Sequence, residues 1–389
     1  MKTSTGAAIV GVGTTDYYKR GRSPLTLNEL AVRAILGAAD DAGLDVGDID
    51  GFAYYSALSN SVDTGWLVQA LGIPDVRYSA SVTSGGSGSA GALALAASAI
   101  QAGLAEVVVT VMALQQPVGR RLGAAGARRP GTPENDFEKP FGLLAPGHYF
   151  ALTCQRHMHE YGTTREHLYE VVSAQRHYAL TRPKALFKTP LTRADYFGAR
   201  MIADPLCLFD FTMESEGAAA VITTSASRAA DLRQKPAHIL AAALGGDGRW
   251  GRGMNWIGQP DDLFATAGAA KLAAELYGRA GLGPADVDVA LLYDHFSPTI
   301  LLQLEDFGFC KRGESGPFVA EGNLGIGGRI PVNTHGGNLS EAYLIGMTHI
   351  VEAVEQIRGT AVNQVPGAEI ALVTGGPSHL PLGAALLHG

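Results

Sequence analysis

Asp41-Ala42-Gly43-Leu44, followed by Asp48-Ile49-Asp50-Gly51-Phe52-Ala53-Tyr54-Tyr55, returns later as Arg279-Ala280-Gly281-Leu282 followed by Asp286-Val287-Asp288-Val289-Ala290-Leu291-Leu292-Tyr293. In both copies a helix stops at a glycine suited to the left-handed conformation, a short acidic turn follows, and an apolar strand begins. The two glycines stand 238 positions apart in a chain of 389. A repeat of this length, with helix and strand in the same order, predicts an internally duplicated α/β molecule.

Working outward, the first helix is marked by Thr26 and Glu29 as a capping box, with Leu27, Leu30, Ala31, Ala34 and Ile35 on one face. Its counterpart is the Ala-rich stretch from Ala265 to Tyr277. Each half then has a Gly-rich turn (Ser84-Gly85-Gly86-Ser87-Gly88 and His335-Gly336-Gly337), a helix, and a strand, at Glu106 to Val111 and Glu369 to Thr374. Ala90, Leu93, Ala94, Ala97 and Ile100 recur at helical spacing among small residues, which predicts a helix packed on all sides, its N-terminus at Gly85-Gly86 presenting backbone N–H groups. The more polar stretch 115–205 reads as an inserted cap or loop region. It separates a first half of 1–114 and 206–245 from a second half of 246–389.

With 30 Lys and Arg against 37 Asp and Glu, a net charge of −7 argues against nucleic acid or anionic membranes as partners. No stretch reaches the roughly 18 apolar residues of a membrane span, and the short apolar run from Ala7 to Val12 reads as a first strand, so a cytoplasmic location is expected. Cys154, Cys207 and Cys310 are odd in number and widely spaced, which predicts neither a disulfide framework nor a metal site.

Three ordered segments carry a family likeness: Phe307-Gly308-Phe309-Cys310 leading to Gly313-Glu314-Ser315-Gly316-Pro317-Phe318-Val319, then Pro331-Val332-Asn333-Thr334-His335-Gly336-Gly337, then Gln356-Ile357-Arg358-Gly359. Glu216-Gly217-Ala218-Ala219-Ala220 adds an acidic-Gly-Ala strand start. Together they resemble the thiolase superfamily, in particular its sterol-carrier-protein type, over nearly the whole chain. The resemblance implies a thiolase fold: a duplicated five-layered αβαβα core of two mixed sheets with an inserted cap or loop region. The departures bear on function. Where the family has a nucleophilic cysteine this chain has Gly85; its His-Asp-Cys-Phe motif reads Tyr293-Asp294-His295-Phe296; its Gly-His-Pro motif falls on Ala342-Tyr343-Leu344; and the last cysteine loop, between Thr374 and Gly383, has no cysteine.

Two histidines replaced by tyrosines and both cysteines lost resemble the non-thiolytic steroid side-chain aldolases, formerly called lipid-transfer proteins. This implies cleavage of a 17-hydroxysteroid β-hydroxyacyl-CoA to a 17-ketosteroid and propionyl-CoA, alongside a small OB-fold and zinc-ribbon partner protein, on a homodimeric core. Coenzyme A is then part of the substrate, and no further cofactor is expected. A retro-aldol cleavage needs a base for the hydroxyl proton, donors for the enolate and an acid for its α-carbon, but no covalent nucleophile. Tyr293 and Tyr343 are the candidate acid–base pair, in either order. The N–H groups of Gly85, Gly86, Gly375 and Gly376 are candidate donors, and Gly85 would leave room for a branched substrate carbon. A free phenol has a pKa near 10, so a tyrosine base at neutral pH calls for a fall of about 3 units.

Other readings stay open: a non-catalytic acyl-CoA or sterol binding protein, or an acyltransferase or thiolase with Ser84 or Ser87 as nucleophile. Gly11-Val12-Gly13 is an incomplete dinucleotide fingerprint. Arg120, Arg121, Arg128 and Arg129 form a basic cluster that could meet coenzyme A phosphates. His148, His157, His159, His167 and His177 read as cap or surface residues, not metal ligands.

Overall fold

The computed structural model describes residues 5–55, 62–83, 85–116, 137–251, 253 and 259–389. The Arg120–Arg129 cluster and Ser84 lie outside them. The first half contributes β1 (Ala7–Thr14), β3 (Gly51–Tyr55), β4 (Tyr78–Val82), β5 (Val107–Leu114) and β8 (Ser215–Ser225) in the order β1-β8-β5-β3-β4, with the two-residue β2 (Tyr18–Lys19) beside β8. The second half contributes β9 (Ala237–Gly245), β10 (Val289–Leu291), β11 (Ile370–Thr374) and β12 (Leu382–His388) in the matching order β9-β12-β11-β10. Val332 bridges Ala290 where β4 would repeat. A small hairpin, β6 (Met201–Ala203) with β7 (Leu206–Cys207), stands apart.

The duplication extends to single hydrogen bonds. Asp50 accepts from the N–H groups of Glu106 and Val107, and Asp288 accepts from those of Glu369 and Ile370, fastening equivalent strand starts. β3 runs parallel to β5 and β10 parallel to β11, while β8 and β12 run antiparallel to their neighbours.

Five layers result. Helix α1 (Leu27–Ala42) has the expected Thr26–Glu29 capping box and ends at Gly43 with φ 72°, covering the outer face of β1, β8 and β5. Helix α2 (Thr64–Leu71) packs beside it. The middle layer is α3 (Gly88–Gln101) with α8 (Met347–Arg358), both touching strands of the two halves. Helix α6 (Ala270–Ala280) covers β9 and β12; it begins five residues later than the sequence suggested and ends at Gly281, φ 64°. In the stretch 115–205, α4 (Pro146–Tyr161) and α5 (Arg165–Thr181) place Phe150, Leu168 and Val171 in one apolar core with α7 (Pro298–Asp306) and α6.

The two mixed sheets meet at one edge, where β1 and β9 pair at Ala8–His238 and Ile9–Ala237. One expectation needs correction. β9, assigned to the first half, pairs with β12 along its length and so belongs to the second, which begins before residue 246. Gly11 and Gly13 lie within β1, where a Cβ would stand 2.1 Å from the Ala38 carbonyl oxygen and 2.2 Å from that of Ala34. They let α1 lie close on the strand, and the dinucleotide reading falls.

Candidate active site

Tyr293 leaves the end of β10 with its backbone held at both polar groups. Its N–H donates to Thr374 Oγ1 (3.0 Å), that hydroxyl donates to Gln303 Oε1 (2.6 Å), and Gln303 Nε2 returns to the Tyr293 carbonyl (2.7 Å). Residue 292 before it is clamped by the Asn333 amide, at 2.8 Å to both its N–H and its carbonyl. Tyr343 follows a one-turn helix, Gly337–Ser340, and exchanges two hydrogen bonds with Ser215, whose hydroxyl accepts its N–H at 2.8 Å and donates to its carbonyl at 3.0 Å. These frames bring the phenolic oxygens of Tyr293 and Tyr343 to 3.2 Å from one another.

Glycine makes room for the Tyr293 ring. A Cβ at Gly86 would stand 2.5 Å from its Cζ, at Gly376 2.7 Å from Cε1, and at Gly346 2.9 Å from Cδ2. Gly86 and Gly376 thus flank the phenol on facing segments, and Ser87 Oγ ties them by donating to the Gly376 carbonyl at 2.9 Å. Their N–H groups have no partner among the described residues and remain candidate donors beside the tyrosines. The Gly375 N–H is already given to the Gly383 carbonyl at 2.7 Å, which removes it from the candidate donors. Gly85 sits in the turn before α3, which begins at Gly88, later than expected. The space over Gly85 is not open to substrate: a Cβ there would meet His379 Cε1 at 2.8 Å and Ser378 Cβ at 3.0 Å. An imidazole occupies what a nucleophile's side chain would fill.

The electrostatics correct a further expectation. Burial pushes the pKa of Tyr293 well above 10 and, to a lesser degree, that of Tyr343, whose rise is partly offset by the hydrogen bond from Tyr293. A resting phenolate is therefore disfavoured. A third phenol, Tyr55, is buried beside them, its ring against Gly88, and is also pushed up by burial. Burial raises all three thiols, Cys310 to about 12, so none supplies a thiolate. Among the cap histidines, His157 bonds Thr163 and Glu305, and His148 Nδ1 accepts from the Leu144 N–H.

Tyr55, His295 and His379 were not read from the sequence as site residues. Tyr55 and His379 stand in segments far from either tyrosine in sequence. His295 is two residues beyond Tyr293, and that closeness in sequence was the available signal.

Residues 254–380 match the family model described as "Thiolase C-terminal domain-like". The chain is 40% identical over 377 residues to "Steroid side-chain-cleaving aldolase" of Thermomonospora curvata, covering 95% of each chain. It is likewise 40% identical to "17-hydroxy-3-oxo-4-pregnene-20-carboxyl-CoA lyase" of Mycobacterium tuberculosis, over 95% of this chain and 96% of the relative. The solved structure described as "Ltp2-ChsH2(DUF35) aldolase" superposes with a TM-score of 0.91 at 37% identity, over 100% of this chain and 99% of that one.

Proposed function

The chain belongs to the thiolase superfamily, in the group that includes the steroid side-chain-cleaving aldolases, and we propose that it cleaves a 17-hydroxysteroid β-hydroxyacyl-CoA to a 17-ketosteroid and propionyl-CoA. It is a carbon–carbon lyase. The observation that carries this reading is the 3.2 Å contact of the buried Tyr293 phenol with the half-buried Tyr343 phenol, in glycine-lined space that holds no thiol.

Raised phenol pKa values fit a relay better than a phenolate base. As the bond between the hydroxyl-bearing carbon and the α-carbon breaks, its electron pair becomes the thioester enolate and the O–H pair becomes the new C=O. The nearer phenol oxygen takes the hydroxyl proton while passing its own to the second, which protonates the α-carbon. Every proton is accounted for, and neither tyrosine has to ionise beforehand. The N–H groups of Gly86 and Gly376 would carry the enolate oxygen. Coenzyme A enters as part of the substrate, and no separate cofactor is required. The 37% identical solved structure, described with two protein names, supports a heteromeric assembly here as well. We assign the partner role to a small OB-fold and zinc-ribbon protein and the core to a homodimer. Among the described residues no helix is long and apolar enough to cross a membrane, and a cytoplasmic location suits the substrate.

The experiment is incubation of the full chain, co-expressed with its partner, with the steroid β-hydroxyacyl-CoA in the presence and absence of free coenzyme A. Ketosteroid and propionyl-CoA should form without free coenzyme A. Tight binding without turnover would support a carrier, and strict dependence on coenzyme A a thiolase. Tyr293→Phe and Tyr343→Phe should each lower turnover about 100-fold or more while leaving the fold intact; folded variants with wild-type rates would sink the relay.

A further inference from the structure

Tyr293, Asp294 and His295 follow the end of β10 at Leu291, with a bend at His295, and their side chains part. Asp294 turns inward, accepting from the N–H groups of Asn338 and Leu339 and from His349. Tyr293 and His295 lie on the other side with ring centroids 5.0 Å apart. Beyond His295 the surroundings become aromatic: Phe150 stands edge-on at 4.3 Å and Phe296 at 4.8 Å. The imidazole thus marks the border between the phenol pair and an apolar wall.

His295 is 9% exposed, and neither ring nitrogen has a hydrogen-bond partner among the described residues. A buried polar group without a partner is unfavourable, and a phenylalanine or leucine would fill this aromatic site without that penalty. Burial holds the imidazole pKa down at about 3, so at neutral pH the ring is uncharged, with one nitrogen a donor and the other an acceptor. No bond holds the ring in place, so it can turn to a ligand without breaking one.

We propose that His295 is a substrate-contacting residue that hydrogen-bonds the hydroxyl on the carbon being cleaved, the oxygen that becomes the ketone, and thereby selects hydroxylated substrates and aims their proton at the phenol pair. The apolar wall next to it suits the flat hydrocarbon that bears this hydroxyl, while the thioester lies on the glycine side. The assignment rests on the aldolase reading above and adds a specificity-determining contact to it.

The test uses the full chain with its partner, as wild type, His295→Leu and His295→Gln, and two readouts. One is cleavage of the hydroxylated acyl-CoA. The other is exchange of the α-hydrogens of propionyl-CoA in deuterated water, which engages the tyrosines but involves no hydroxyl. His295→Leu should lose cleavage about tenfold or more, keep wild-type α-exchange, and bind the hydroxylated ester no better than its deoxy analogue. His295→Gln, which keeps a donor and an acceptor, should recover part of the cleavage. Wild-type cleavage by His295→Leu would overturn the proposal. So would equal losses of cleavage and exchange, which would mean that the substitution disturbs the tyrosines instead. A wild-type assembly that neither cleaves nor exchanges would refute the aldolase reading itself.

Discussion

A phenol is longer than an imidazole, and the site accommodates it by subtracting elsewhere. Tyr293 is 1% exposed, yet Gly86, Gly346 and Gly376 each stand so close that a methyl group would overlap its ring. The tyrosine and its glycines are therefore one unit, and a substitution at Gly86 should behave as a substitution of Tyr293. Gly86→Ala should destabilise the protein by about 1–3 kcal/mol through overpacking and should reduce turnover at least tenfold by parting the two hydroxyls. Thermal unfolding together with steady-state turnover checks both; wild-type turnover in a folded Gly86→Ala protein would show that the ring can be displaced without cost. The two tyrosines were legible from the sequence because they fall on motif positions with fixed neighbours. Their glycine surroundings were legible only in part: Gly86 and Gly376 were singled out as N–H donors, whereas their role as space for a ring depends on a fold that brings residues 86, 293 and 376 together.

At the scale of elements, Asp294 joins what the two tyrosines stand on. Its carboxylate accepts from Asn338 and Leu339 at the start of the one-turn helix Gly337–Ser340 and from His349 on α8, so the end of β10 is tied to the loop that carries Tyr343. An amide in its place would turn one acceptor oxygen into a donor facing other donors. Asp294→Asn should cost on the order of 2 kcal/mol and should lower kcat more than it changes KM, because the phenol pair is loosened while the binding surface is kept. Urea unfolding and a comparison of kcat with KM would reveal this, and an unchanged kcat would separate the tie from the chemistry. Asp50 and Asp288 show the same device in the scaffold, each fastening a strand start through two backbone N–H groups. That pair was visible as a repeat in the sequence, since each acidic residue sits at a fixed distance from its glycine. Asp294 was visible only as part of a motif, with no hint of what it holds.

For the molecule as a whole, the repeat predicted duplicated layers. It could not assign β9, because an apolar strand carries the same alternation whichever neighbour it pairs with. Nor did the polar composition of 115–205 reveal how deeply α5 is built in. Arg182, just past the end of α5, reaches three carboxylates of the second half, with Glu341 and Glu355 at 3.0 Å and Glu352 at 3.3 Å. Glu341, two residues before Tyr343, is 1% exposed, and burial outweighs Arg182 to push its carboxyl up to about 8. An exposed glutamate titrates near 4.3, so between these values the folded chain holds a proton that the unfolded chain has released. The stability associated with Glu341 is complete below about pH 4.3 and is lost as the pH rises through 8. Glu341→Gln keeps the shape without the ionisation, and Arg182 retains two carboxylates. The variant should therefore gain on the wild type as pH increases, by roughly 4 kcal/mol between pH 5 and pH 9, seen as a widening difference in thermal midpoint. A difference that stays constant across that range would mean that Glu341 is ionised throughout, paired with Arg182, and that the inserted region is held to the second half by a permanent ion pair.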